Sequence, residues 1–571
     1  MGLQGPYGSH AWKGIPYARP PLGELRWRAP RPAEPWEGVR AALAFGEACP
    51  QIASALGGPG GAGPGEPLGS EDCLTLNVFA PRLAPDRVPA GSDRLPVMVW
   101  IHGGGNSIGS ADVYEGGRLA AGQDVVVVTV QYRLGPFGWF RHPALHGAEA
   151  KAEERSGNYG TLDLIEALRW VRDNVPAFGG DPGNVTLFGE SAGGSNVYTL
   201  LVSPLARGLF QRAIVQSGGL RSSSVAEAEN FADDADPGHA ASSSEVVLRL
   251  LAAEGAPGRD AARARLGAMS GSELAAWLRA RSAPEILAAY ESRGGTGMLS
   301  MPKVFRDGQV LPAQEFQEAL AAGRYNRVPV ITGTNRDEAK LFQSFDPEYV
   351  RTVFRVPVWV KDPGRYERRA AYQSLMWKAS SVDEPAAVMR GVQGPSVFAY
   401  RFDWDELPSF LWLDLSRLLG AAHAFEIPFV FGSFDLGWAN RFLWSERAAP
   451  GRDALSEAMM SYWARFARTG DPGAGRSGDL PRWVAWDPSA PDAPRFLVLD
   501  SEEGGGIRMS SEAVSVRGVV ARIQGDPAFE DESERCALLA ALAERTPGFT
   551  RESYARIAAC TGLGVAPAAA R

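Results

Sequence analysis

Between residues 95 and 220 the chain alternates short apolar runs with amphipathic stretches. The runs "LPVMVWI" (95–101), "DVVVVTVQY" (124–132) and "NVTLF" (184–188) are rich in Val and Ile and lack a polar residue at every second position. Strands buried on both faces have that pattern, whereas "LDLIEALRWVRDNV" (162–175) repeats its apolar residues with a helical period. The succession predicts a mostly parallel sheet flanked by helices, an α/β class. Residues 221–300 are polar and Ala-rich, and pieces such as "SSEVVLRLLAAEG" and "SGSELAAWLRARS" predict inserted helices, not sheet. A further strand is predicted at "RVPVITG" (327–333), then a second helical insertion, then "SVFAYRFDW" (396–404), whose alternation predicts an edge strand. Beyond residue 505 the chain reads as helical and polar.

Composition narrows the function classes. The 571 residues, 45% hydrophobic and 10% aromatic, are enough to bury a large core. A net charge of -8, from 58 Lys+Arg against 66 Asp+Glu and with no run of basic residues, argues against a nucleic-acid partner. No stretch of 18 apolar residues occurs, so no membrane span is expected. The opening "MGLQGPYGSHAWKGIPYA" has neither a basic nor an apolar leader region, and Pro6 stands where myristoylation requires Ser or Thr; a cytoplasmic location is the expectation. "GGPGGAGPGEPLG" (57–69) holds a G-x-G-x-x-G at Gly58, Gly60 and Gly63, but it follows no strand, opens no helix and contains Pro59 and Pro64. It reads as a flexible loop, and no dinucleotide cofactor is expected. Four cysteines, Cys49, Cys73, Cys536 and Cys560, lie in two pairs 24 residues apart; two disulfides and four buried thiols are both open, and without a C-x-x-C no metal is expected.

Two segments match G-x-S-x-G, "GESAG" around Ser191 and "GNSIG" around Ser107. Context separates them. Ser191 follows the strand "NVTLF" and precedes "AGGSNVYTLLV", small residues first and an apolar helical pattern after. Strand, sharp turn and helix expose a serine hydroxyl at a strand's C-terminal end, and the flanking Gly189 and Gly193 allow the close approach that this turn requires. Ser107 lies just past "HGGG" (102–105), where consecutive glycines after a strand present bare N–H groups suited to a tetrahedral oxyanion. Ser191 is therefore expected as nucleophile and Ser107 as a residue of the oxyanion loop.

A nucleophilic serine needs a base, and the chain has six histidines. His102 belongs to the oxyanion loop. His142 and His146 frame "HPALH", where Pro143 replaces the Glu of a zinc-binding H-E-x-x-H helix; His10 and His239 sit in polar stretches read as mobile. His423, in "AAHAFEIPFVFG", is left as the base, in the order Ser, acid, His. The acid is expected in "VPVITGTNRDEAKLF" (328–342), where composition does not separate Asp337 from Glu338.

Seven segments occur together in one order: "KGIPYARPPLGELRW" (13–27), "SEDCLTLNVFAP" (70–81), "WIHGGG" (100–105), "YRLGPFG" (132–138), "FGGDPGNVTLFGESAGG" (178–194), "GTNRDEAKLF" (333–342) and "HAFEIPFVFG" (423–432). From about residue 13 to 500 the chain thereby resembles the type-B carboxylesterases, the family of cholinesterases and bacterial para-nitrobenzyl esterases. The resemblance implies a single α/β-hydrolase domain over 1–571, with helical insertions at about 221–325 and 343–395 and a C-terminal tail from about 505. It implies Ser191 as nucleophile, His423 as general base and Glu338, not Asp337, as the acid. Gly104, Gly105 and Ala192 would supply the oxyanion N–H groups, and Cys49 and Cys73 would close the family's first disulfide loop. The chain departs from the family's pattern at Asn106, where Phe is usual, and at Gln131, where Asn is usual. The family's N-terminal hairpin precedes "GIPYA", and only 13 residues do so here, which leaves room for an upstream start carrying a secretory signal and for a periplasmic or secreted protein.

The implied activity is hydrolysis of small carboxylic esters through an acyl-enzyme, with no cofactor or metal. Two alternatives accompany it: amide or lactone hydrolysis at the same serine, and a non-catalytic binding protein of this family, against which the presence of all three triad residue types argues. The segment between Cys49 and Cys73 has no Trp, Tyr or Phe to hold a quaternary ammonium, so neutral, largely apolar aryl or alkyl esters are expected as substrates.

Overall fold

The structure, a computed structural model, describes residues 1–54, 62–147, 149–292, 296–353, 356–410, 413–435, 440–557 and 559–560. Gly58 and Gly60 of the glycine-rich loop lie outside the described residues. The chain divides into two compact units, Met1–Ala213 with Arg221–Arg327, and Ile214–Leu220 with Val328–Arg571.

In the first unit the strands β1 (Leu3–Gln4), β2 (Ser9–Pro16), β3 (Thr75–Pro81), β4 (Leu95–Ile101), β5 (Val126–Val130) and β6 (Gly180–Glu190) lie in the order β1-β2-β3-β5-β4-β6. The first three pairings are antiparallel, and β4 runs parallel to both its neighbours. All five residues of β5 are buried, as expected where helices cover both faces. Helix α1 (Tyr159–Asn174) buries ten consecutive residues from Tyr159 to Leu168, and Pro176 and the left-handed Gly179 end the helical path. Its Asp163 forms a fully buried ion pair with Arg133 of "YRLGPFG" through bonds of 2.8 and 2.6 Å. Between Val225 and Ala288 the chain carries short helices, among them Ser243–Ala253 and Gly271–Arg279, whose serine N-caps accept from the N–H of Glu residues three positions on.

The second unit carries β7 (Arg212–Gln216, its last three residues), β8 (Val330–Asn335), β9 (Val397–Phe402), β10 (Phe496–Leu499) and β11 (Arg508–Ser510), in that order. Strands β8, β9 and β10 are mutually parallel, and β11 closes antiparallel. The expectation of an edge strand at 396–404 is corrected: β9 is an interior strand, paired on both sides. Its polar position, Arg401, is bound by Asp403 at 2.7 Å and lies over the Phe496 ring, so the alternation marks a paired charge, not a solvated face. The region beyond 505 is also less polar than its composition. Val519, Ile523, Phe529, Leu538, Leu539, Leu542 and Phe549 share a core with Met376 and Ala379.

Both cysteine pairs are disulfides. Cys49–Cys73 in the first unit and Cys536–Cys560 in the second have Cα separations of 5.1 and 5.4 Å. Two histidines depart from their expected setting: His10 is in β2, paired with Ala80 of β3, and the His239 Nδ1 accepts from the Ala241 N–H at 2.9 Å.

Candidate active site

Strand β6 ends at Glu190, helix α2 (Ala192–Val202) begins at Ala192, and Ser191 is the single residue between them. Its φ of 57° and ψ of -119° put a non-glycine residue in a costly backbone region, held by what surrounds it. The glycines show how tightly. A Cβ on Gly189 would lie 2.7 Å from the Ile101 carbonyl oxygen, and one on Gly193 would overlap that same oxygen. The turn at Ser191 therefore sits directly on the end of β4, where the glycine loop 102–105 begins.

In that loop Gly104, Gly105 and Asn106 have successive φ values of 99°, 62° and 54°, a run in the left-handed region. A Cβ on Gly103 would stand 3.1 Å from the Ser191 Cβ, so the loop and the turn at Ser191 are in contact. The Tyr132 hydroxyl donates to the His102 carbonyl at 2.7 Å and stacks its ring on the imidazole. Burial pushes the His102 imidazole down to about 4, so it is neutral at physiological pH. Ser107 is buried and engaged: its hydroxyl donates to the Gly105 carbonyl at 3.3 Å and accepts from the Leu299 N–H at 3.1 Å. Gln131 accepts from the Ala111 N–H at 3.0 Å and donates to the Ser110 hydroxyl at 2.8 Å, bracing the chain after the loop.

In the second unit Glu338 and His423 are brought together, with Nδ1 and Oε2 2.5 Å apart. Glu338 opens the helix Glu338–Gln343 just past β8 and is fully buried. Its Oε1 accepts from the Ser217 hydroxyl at 2.5 Å, the Thr334 hydroxyl at 2.7 Å and the Asn335 N–H at 2.7 Å. Burial alone would raise its pKa, but His423 and these donors outweigh it and hold the carboxyl below its ordinary value, as the anion. Asp337 faces elsewhere: it accepts from Arg336 at 2.8 Å and from the Ala421 N–H at 3.1 Å. The geometry thus pairs the imidazole with Glu338 and gives Asp337 a bracing role. Phe342 and Trp377 flank the His423 ring at 5.2 and 4.9 Å.

Ser217, Thr334, Asn335 and Glu426 were not singled out from the sequence. Ser217, left-handed at φ 51°, reaches Glu338 across 121 positions, and no local pattern announces it. Glu426 is fully buried and accepts from Asn335 Nδ2 at 2.7 Å and Gln216 Nε2 at 3.2 Å. Burial, and after it the nearby Glu338 charge, push its carboxyl upward. The two neighbouring acids are thereby shifted in opposite directions, Glu338 down and Glu426 up, and Glu338 is the one bonded to His423.

A serine on a strained strand-to-helix turn, glycine N–H groups beside it and a buried carboxylate–imidazole pair are parts suited to acyl transfer. Comparison with known proteins gives the same class. A sequence profile of the carboxylesterase family matches residues 3–359 and 359–514. The para-nitrobenzyl esterase of Bacillus subtilis (strain 168) is 36% identical over 509 residues, covering 87% of this chain and 92% of that one. The cocaine esterase of Homo sapiens is 35% identical over 513 residues, 84% of this chain and 82% of its own. Among solved structures, a para-nitrobenzyl esterase superposes with a TM-score of 0.62 at 31% identity, over 89% of this chain and 94% of that chain. A Geobacillus stearothermophilus carboxylesterase gives 0.62 at 30%, over 89% and 95%. The chain belongs to the carboxylesterase family, has its α/β-hydrolase fold and is a carboxylic ester hydrolase.

Proposed function

We propose that Ser191, His423 and Glu338 form the catalytic triad, that Gly104, Gly105 and Ala192 donate the oxyanion N–H groups, and that the substrates are neutral, largely apolar aryl or alkyl esters. The observation that carries the reading is the strained Ser191 at the junction of β6 and α2, next to the glycine loop. The His423–Glu338 hydrogen bond supports the base assignment: a carboxylate on Nδ1 fixes that proton and leaves the Nε2 lone pair free. We read 1–571 as one hydrolase domain, as the family resemblance implies.

In the mechanism, Nε2 of His423 takes the Ser191 proton as Oγ adds to the ester carbonyl. The oxyanion is bound by the loop and helix N–H groups. The imidazolium, stabilised by Glu338, returns its proton to the departing alkoxide, and water repeats the sequence to release the acid. Steady-state rates on para-nitrophenyl esters of increasing acyl length, with a matched anilide, test the reading. Ser191→Ala should lower turnover by roughly 10³ to 10⁶ with the fold retained, whereas Ser107→Ala should keep most of it. An inactive Ser107 variant beside an active Ser191 variant would overturn the assignment, and a preference for the anilide would replace ester by amide hydrolysis.

A further inference from the structure

The oxyanion donors come from two separate elements, the loop Gly104–Gly105 and the first residue of α2. Stabilisation of a developing charge requires all of them to point at one spot, within a fraction of an ångström, before the reaction begins. The loop is held locally, its Gly104 carbonyl accepting from the Ser107 and Ile108 N–H groups at 3.1 and 3.0 Å, but these bonds do not reach the helix. Something must tie the loop to the helix.

That tie is visible at Asn106 and Asn196. Asn106 directly follows the loop glycines, and Asn196 stands one helical turn after Ala192, on the same side of α2. Both are buried. The Asn196 Nδ2 donates to the Asn106 Oδ1 at 2.8 Å, and the Asn106 Nδ2 approaches the Asn196 Oδ1 at 3.4 Å, a reciprocal amide pair. The Tyr132 hydroxyl reaches the same Asn106 Oδ1 at 3.3 Å while donating to the His102 carbonyl at 2.7 Å. The Asn106 carbonyl in turn accepts from the Gly135 N–H at 2.7 Å. Asn106 is thus held through side chain and main chain at once. Asparagine also suits its backbone, since it tolerates the left-handed conformation better than most residues with a Cβ.

We propose that the Asn106–Asn196 amide pair is the positioning device of the oxyanion hole, locking the loop donors Gly104 and Gly105 in register with Ala192. The inference rests on the oxyanion assignment given above and goes beyond it by naming what holds the donors in place. Neither asparagine is a donor to the oxyanion. They act through the backbone they fix, so their loss should weaken transition-state binding and leave ground-state binding nearly intact.

The test uses three variants of the full chain: Asn106→Gly, which keeps the left-handed backbone and removes the amide, Asn196→Ala, and the double variant. The readouts are kcat and KM for para-nitrophenyl butyrate, thermal midpoint, and inhibition by an alkyl trifluoromethyl ketone, whose adduct with serine carries the tetrahedral oxyanion. Each single variant should lose about tenfold to a hundredfold in kcat, less than removing a donor outright. KM should stay within about twofold, and ketone affinity should fall by a factor like that in kcat. The double variant should lose no more than the worse single one, because either substitution already breaks the same pair. Unchanged kcat, a kcat loss with unchanged ketone affinity, or additive losses would each overturn the proposal. Asn196→Ala decides alone if Asn106→Gly does not fold. Failure of the parent protein to form a ketone adduct, or an adduct that persists in Ser191→Ala, would instead overturn the triad reading and the proposal with it.

Discussion

Replacing Glu338 by Gln is the sharpest perturbation available, because the surroundings dictate how the new side chain must sit. The Oε1 position accepts from three donors, the Ser217 and Thr334 hydroxyls and the Asn335 N–H. An amide nitrogen cannot accept, so the glutamine carbonyl must occupy that position, and its NH₂ then falls where Oε2 stands, 2.5 Å from the His423 Nδ1. Facing a donor, Nδ1 must become the acceptor. The imidazole proton moves to Nε2, which can no longer take a proton from a serine, and the imidazolium loses its counter-charge. A wrong tautomer of this kind costs about 10⁴ in kcat, or roughly 5 kcal/mol of barrier. Asp337→Asn should cost less than about tenfold in kcat and mainly lower the thermal midpoint, since its carboxylate meets Arg336 and the Ala421 N–H, not the imidazole. Initial rates on para-nitrophenyl butyrate, with folding checked by circular dichroism, decide between them. Comparable losses in both variants, or a Glu338→Gln enzyme with more than about a tenth of the parent kcat, would refute the tautomer argument.

Three further outcomes follow from other parts of the molecule. His102, at about 4 in the folded protein against about 6.5 unfolded, binds fewer protons when folded across that window, so stability is full above pH 6.5 and about 3 kcal/mol is lost as pH falls to 4. Urea midpoints at pH 7 and 5 should fall less in His102→Gln than in the parent, and equal falls would contradict the assignment. With both cysteine pairs bonded, unfolded and unreduced protein should show no titratable thiol, and opening the 49–73 loop should destabilise by roughly 3 kcal/mol in the loop-entropy treatment; four reactive thiols would refute the pairing. Butyrylcholine should have a lower kcat/KM than an uncharged butyrate ester of similar size and leaving-group reactivity, because no aromatic residue lies between Cys49 and Cys73 to hold the ammonium; a clear preference for the choline ester would reverse the substrate reading.

What could be read from the sequence was what is encoded locally. The buried strands β4, β5 and β6 declare themselves as short, mostly apolar runs without alternation, and the turn at Ser191 declares itself because strand, small residues and helix follow within a dozen positions. The same rule explains the misreading of β9. Alternation is evidence of a solvated face only if the polar residue reaches water, and Arg401 is instead neutralised by Asp403 two residues away and covered by Phe496. The C-terminal tail misleads for a related reason. Its apolar residues lie on short helices and the turns between them, and Met376 and Ala379, more than a hundred residues upstream, share their core.

The choice between the adjacent acids shows where sequence reasoning has to stop. Asp337 and Glu338 are neighbours with the same charge, and no periodicity distinguishes them. What does is the direction each side chain leaves the start of a helix, which depends on partners distant in the chain: Ala421 for one, Ser217 and His423 for the other. Family resemblance named Glu338, but the physical reason lies in its four contacts. Three donors on one oxygen and an imidazole on the other leave an anion there satisfied in full, and the same site would leave a neutral acid with its own proton in conflict with the donors around it. The environment therefore selects the charge state as well as the residue. Glu426 is pushed the other way by burial, and after it by the Glu338 charge, against two amide donors that favour its anion.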